Sequence, residues 1–234
     1  SAFADHIVVS EHSAVKVPAD LPYEIAALFG CAVLTGAGAL LNTAAEALPA
    51  GSVAIFGLGG VGLSALIAAK AQGASEIVAV DRISSKLDLA SDLGATTVID
   101  ATEDGVVEKV KKATGGGVEV AVESVGSADV LAEAYAATGR GGLTVTPGLP
   151  RPEAELKIPA LSLVGEERTL KGSYLGSCVP SRDIPRFIEM YRSGGFPVDR
   201  LLSGRLNPDQ INEGFDRLAS GEAVRQVVTF GQAD

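Results

Sequence analysis

Residues 52–81 read "SVAIFGLGGVGLSALIAAKAQGASEIVAVD". A short β-branched run, "SVAIF", leads into a glycine cluster, then a helix-type run, then a second β-type run ending on an acid. Gly57, Gly59 and Gly62 stand in the spacing G-x-G-x-x-G at the strand-to-helix turn. Each has its own mechanical role. Gly57 permits the tight turn, Gly59 lets backbone approach a pyrophosphate, and Gly62 lets helix and strand pack closely. With Leu58, Gly60 and Val61 they open a helix whose free amides and positive dipole end face an anion. The glycines alone are weak evidence. Asp81, nineteen residues beyond Gly62, ends the second strand, where a carboxylate accepts hydrogen bonds from the hydroxyls of an adenosine ribose. Strand, turn, helix, strand and acid in this order predict dinucleotide binding. Asp81 would repel the 2′-phosphate of NADP, so NAD is the expected cofactor, with Arg82 next door leaving room for the alternative. Asp81 could also cap the helix opened by "DRISSKL", a role Ser84 can fill instead.

Outward from this stretch the rhythm continues. "EIVAVD" leads to a helix over 84–93, "TTVID" to one over 103–113, and "VEVAVES" to one over 128–137. "GGLTVTPG" and, after a Pro-rich connection, "TLKGSYLG" supply the last two strands. Six strands joined mostly by crossover helices predict an α/β fold, a doubly wound parallel six-stranded sheet of the Rossmann type. Both flanks break the pattern. Before the sheet come an extended piece, "DHIVVSE", a Pro-bounded turn, "KVPADLP", and apolar helical material over 23–47. After it come a helix over 181–193, the stretch "GGFPVDRLLSGRL", a helix over 208–219 begun by Asn207 and Pro208, and a terminal strand, "RQVVTF". The expected units are 1–31 and 177–234 as incomplete remnants of one domain and 32–176 as the nucleotide-binding domain.

A chain of 234 residues with 47% hydrophobic content can bury a substantial core. The net charge of −10 and the lack of Lys/Arg clusters argue against nucleic acid and anionic membrane surfaces. Two cysteines are too few to staple a secreted fold, and "SAFADHIVVSEH" lacks signal-peptide character, so a reducing, cytoplasmic setting is expected. Residues 25–45 and 47–69 are uncharged and long enough to span a bilayer. The second contains Pro49 and the glycine cluster, and elements buried on both faces of an α/β sheet give the same apolar runs. No membrane insertion is expected. A methyltransferase also uses a glycine loop and an acid after its second strand, but the third glycine inside the helix favours a dinucleotide. None of Tyr23, Tyr135, Tyr174 or Tyr191 is followed four residues later by Lys, so short-chain dehydrogenase chemistry is not expected.

The sequence resembles the medium-chain, zinc-type alcohol dehydrogenases. "LFGCAVLTGAGALLNTA" followed by the stretch over 53–81 is similar to that family's junction between catalytic and coenzyme domains, and "RTLKGSYLGS" and "INEGFDRLASGEAVRQVVTF" to its C-terminal return. The resemblance implies that Cys31 matches the last of three protein ligands to a catalytic zinc, that Thr35 lies beside the nicotinamide, that Lys86 meets the adenosine ribose, and that Arg225 meets the pyrophosphate. It further implies an enzyme that moves a hydride between an alcohol or aldehyde and NAD, with zinc polarising the oxygen, and a homodimer through the last sheet strand. The family's other two zinc ligands lie in an N-terminal catalytic region, and only thirty residues precede Cys31. His6 and His12 stand where the family has no ligand, and the four-cysteine zinc lobe of many relatives is missing. The expectation is therefore a chain that binds NAD but does not itself complete a zinc site. A zinc-free quinone or enoyl reductase and a stand-alone nucleotide sensor are the alternative readings. Cys178 is expected to pack rather than react. The substrate is not legible: aliphatic alcohols, aryl alcohols and thiol adducts of formaldehyde all stay open.

Overall fold

A computed structural model describes residues 3–4, 6–49 and 51–231. The outermost ends of the flanking units 1–31 and 177–234, and Asp5 of the extended piece, lie outside the described residues.

Six strands form one parallel sheet: β1 (Ser52–Phe56), β2 (Glu76–Asp81), β3 (Thr97–Asp100), β4 (Val118–Glu123), β5 (Thr138–Thr146) and β6 (Thr169–Gly172), in the order β3-β2-β1-β4-β5-β6. Alternating side chains divide between two cores. Val53, Ile55, Ile77 and Ala79 face one, whereas Ala54, Phe56, Val78 and Val80 face the other. Burial on both faces explains why these strands read as unbroken apolar runs. The strand order reverses between β1 and β4, and that reversal opens a crevice at the carboxyl ends of the strands.

The helices between the strands are α2 (Gly60–Ala71), α3 (Ser84–Leu93), α4 (Val106–Ala113) and α5 (Ala128–Ala137). Two of the expected spans, 84–93 and 128–137, agree with the structure, and α4 starts three residues later than expected. There the Asp100 carboxylate accepts the Thr102 N–H at 2.8 Å and its hydroxyl at 2.7 Å, and Gly105 turns left-handed at φ +77. Ser84 does not cap α3: Ile83 occupies the cap position with no side-chain bond, and Asp81 Oδ1 accepts the Ile83 N–H at 3.0 Å instead. The Pro-rich connection holds a short helix, α6 (Ala160–Gly165), which its composition does not announce. β6 ends at Gly172 rather than running through "SYLG", because Leu175, Gly176 and Ser177 adopt φ of 50, 68 and 51 and curl into a left-handed turn.

The apolar run before β1 is α1 (Tyr23–Thr43), long and apolar enough to cross a membrane by length and composition, with mean hydropathy 1.8. It is spent on the core instead: 67% of its most apolar window is buried inside the protein. After β6 come α7 (Pro180–Arg192), β7 (Leu202–Leu206), α8 (Ile211–Ser220) and β8 (Arg225–Val228), with β7 and β8 paired in a small parallel sheet. Asn207 and Gln210 form a reciprocal cap before α8, as the Asn-Pro signal implied. The segment 7–10 forms no strand, and its residues are exposed.

α7 is fastened to α1 through one carboxylate. Asp183, fully buried, accepts the Val179 N–H at 2.7 Å, two bonds from the Arg182 guanidinium at 2.8 and 2.9 Å, and a long bond from the Asn42 amide at 3.4 Å. Burial alone would push this acid up; the Arg182 guanidinium and the Val179 amide outweigh it and hold the carboxyl below its ordinary 3.8. Next to it, burial and the Asp183 charge push the Cys178 thiol up to about 12. That thiol accepts from the Asn42 amide at 3.1 Å and donates to the Leu34 carbonyl at 3.3 Å, so it packs as a neutral group. A depressed carboxyl stabilises the fold fully above its unfolded pKa and less as pH falls through the folded value. Asp183→Asn should therefore cost about 1–3 kcal/mol at pH 7, a gap that closes in urea titrations as pH falls below the ordinary 3.8 and through the lowered folded value. At pH 8, iodoacetamide should label one thiol in the native chain, the exposed Cys31, and two after unfolding.

Candidate functional site

The reversal of strand order between β1 and β4 carries the glycine turn. Gly57 stands at φ +88, a conformation that suits glycine, and its N–H donates to the Val80 carbonyl at 2.8 Å. A Cβ on Gly62 would collide with the Gly57 carbonyl oxygen, so α2 can approach β1 only because residue 62 is glycine. A Cβ on Gly59 would meet nothing within 4 Å: the backbone there borders open space. The three glycines thus occupy the positions that turn, phosphate approach and close packing require. Gly60 and Val61 begin α2, which has no side-chain cap, leaving the first-turn amides for a ligand.

A cavity of about 570 Å³ opens beside this turn. It collects Gly57, Leu58 and Gly59, then Asp81 and Arg82 from the end of β2, Lys86 from α3, Ser124 and Val125 from the end of β4, and Leu218 and Gly221 from the end of α8. A hollow of similar size, about 610 Å³, runs along the outer edge of β3 and contains none of the turn residues; the chemistry points to the former. Asp81 Oδ2 accepts the Leu58 N–H at 2.6 Å and Oδ1 the Ile83 N–H. A carboxylate has about four acceptor positions, so two stay free for hydroxyl groups in the cavity.

Arg225, more than 160 residues from the turn in sequence, is delivered to it by β8. A Cβ on Gly60 would strike its guanidinium, and its Nε is buried without a hydrogen-bond partner in the protein. An unpaired cationic donor beside open amides fits the diphosphate of a dinucleotide. The residues present therefore fit NAD: Asp81 for the ribose, the turn and Arg225 for the phosphates.

Thr35 and Cys31 lie on α1 and do not line the cavity. Thr35 is buried; the neighbouring Gly36 lets α1 close onto α2, since a Cβ there would strike the Val61 carbonyl. Cys31 is exposed. Among the described residues no three His, Cys, Asp or Glu side chains converge as a metal site, and a catalytic zinc takes three protein ligands. The described residues do not by themselves fit such an ion.

Sequence reasoning missed Ser124, Val125 and Glu123. Glu123, 1% exposed, accepts the Val125 and Gly126 N–H groups at 2.7 and 2.6 Å through Oε1 and the Thr146 hydroxyl at 2.8 Å through Oε2. It fixes the loop after β4, and the only local signal was an acid at the end of an apolar strand.

Residues 60–193 match the family model described as zinc-binding dehydrogenase. Geraniol dehydrogenase of Castellaniella defragrans is 41% identical over 231 residues, covering 98% of this chain and 61% of the relative. Alcohol dehydrogenase 1 of Pisum sativum is 33% identical, covering 97% of this chain and 60% of the relative. The crystal structure of benzyl alcohol dehydrogenase from Acinetobacter calcoaceticus superposes with a TM-score of 0.89 at 37% identity, over 93% of this chain and 59% of that one. The chain thus spans about three fifths of the length of these relatives. With more than half of its residues inside the family model and the dinucleotide fold intact, the chain belongs to the zinc-binding dehydrogenase family, as its NAD-binding portion.

Proposed function

We propose that this chain seats NAD in the cavity at the reversal of strand order and serves as the coenzyme-binding part of an enzyme that transfers a hydride between an alcohol or aldehyde and the nicotinamide. The carrying observation is the pairing of the Gly59 opening with the unpartnered Arg225 Nε on one side and the half-used Asp81 carboxylate on the other. NAD supplies the hydride acceptor. The chain's own groups do the positioning. The first-turn amides of α2 and Arg225 take the diphosphate, Asp81 takes the ribose hydroxyls, and Arg82 and Lys86 border the same end. Asp81 leaves no place for a 2′-phosphate, which favours NAD over NADP. Thr35, buried where α1 meets α2, is assigned to the nicotinamide side. Cys31 is the one thiol offered to a zinc site whose remaining ligands this stretch does not supply.

A homodimer through β6 completes the reading. β6 is the outer strand of the sheet, and Leu161 and Val164 of the adjoining α6 are each 80% exposed; an open edge beside apolar side chains suits a twofold partner. The two free thiols suit a reducing, cytoplasmic setting.

In fluorescence titrations NADH should bind more tightly than NADPH, and Asp81→Ala should weaken NADH by about 1–3 kcal/mol, or roughly 5- to 150-fold; unchanged affinity would remove Asp81 from the ribose site. The 234-residue chain should bind NADH while retaining no stoichiometric zinc by elemental analysis. Sedimentation equilibrium should give twice the chain mass for the native protein and a single chain for Leu161→Asp/Val164→Asp.

A further inference from the structure

The glycine turn is gripped from both neighbouring strands before any ligand is bound. From β2, Asp81 Oδ2 holds the Leu58 N–H at 2.6 Å. From the end of β4, the Ser124 hydroxyl donates to the Gly57 carbonyl at 2.9 Å, with the Phe56 carbonyl at 3.2 Å sharing the same proton. Ser124 is itself anchored: its backbone N–H donates to the Phe56 carbonyl at 2.9 Å, and the buried Glu123 ties down the two residues that follow. These grips matter because the turn is not self-supporting. Gly57 adopts a left-handed backbone, and glycine has the largest conformational freedom to lose. The Gly57 carbonyl, pinned between Ser124 and Gly62, and the Leu58 amide, turned toward Asp81, belong to one peptide group, which is thus held at both ends in a single orientation. That orientation borders the open space at Gly59 and leads into the uncapped first turn of α2.

Building on the NAD reading, we propose that Ser124 is a positioning residue for the diphosphate, and that Asp81 has this second role besides meeting the ribose. Between them they hold the turn in its phosphate-receiving shape, so the dinucleotide does not have to order it on arrival. Preorganisation of this kind raises affinity by removing an ordering cost from the binding step. Ser124, whose hydroxyl is committed to the turn, then acts on the phosphates through it, and the loss of one neutral hydrogen bond sets the expected size of the effect.

The test compares NADH with an NADH analogue lacking both hydroxyls of the adenosine ribose, on the wild-type chain and on Ser124→Ala, Ser124→Thr and Asp81→Ala. Ser124→Ala should weaken both ligands by the same factor, about 3- to 10-fold. Ser124→Thr, which keeps the hydroxyl, should restore both. Asp81→Ala should weaken even the dideoxy analogue by about 3-fold or more, since the grip on Leu58 is lost whether or not the ribose has hydroxyls. In the ligand-free protein, amide exchange at Leu58 should speed up in Asp81→Ala, and in Ser124→Ala exchange should speed up at Gly57 and Leu58, the two hydrogen-bonded amides of the turn, while strand amides in β1 stay protected. The inference falls if the dideoxy analogue binds Asp81→Ala as it binds wild type, or if Ser124→Ala leaves both affinities and the exchange unchanged. Should the wild-type chain bind neither ligand, the cofactor reading falls and takes this inference with it.

Discussion

Three closures between small residues set the distances on which the site depends. The Gly57 carbonyl rests against Gly62, which seats α2 on the end of β1. The Val61 carbonyl in turn lies where a Cβ of Gly36 would be, so α1 closes onto α2. Gly38 then meets Gly176, where each backbone occupies the space of the other's missing side chain. Sheet, α2, α1 and the left-handed turn after β6 are thus stacked through glycine contacts. A methyl group at any of the three would separate two layers, since interiors packed at near-crystalline density leave no slack for it.

The charged groups tying the flanks together act on a different scale. Asp20 with Arg192, Glu24 with Arg205, and Asp92 with Arg200 are ion pairs at the surface, where each contributes little in water. The buried Asp183 is the exception. Its ion pair is joined by backbone and amide donors, and it connects α7 to the helix that precedes the sheet.

What could be read from the sequence was what is encoded locally. The glycine turn, the acid nineteen residues later, the six β-branched runs and the spans of α3 and α5 each depend on residues within about one strand-helix-strand unit of chain. What could not be read depends on partners far apart. Ser124 meets Gly57 across 67 residues, and a serine after an apolar strand carries no mark of that encounter. Ser84 was a reasonable cap by composition, but Asp81, two residues before Ile83, reaches the Ile83 amide first. The short helix α6 was hidden because prolines dominate its approach. Cys178 was expected to pack, and its neutral, hydrogen-bonded thiol does so. Arg225 was placed at the phosphates only through resemblance; the structure brings it to the turn by way of a small second sheet whose pairing the sequence does not announce.

α1 runs unbroken from Tyr23 to Thr43 through the boundary between the flank and the sheet. It presents an exposed thiol at Cys31 and a buried hydroxyl at Thr35, four residues apart. With no flexible linker between them, the separation of thiol and hydroxyl is set by the helix itself, as on a ruler.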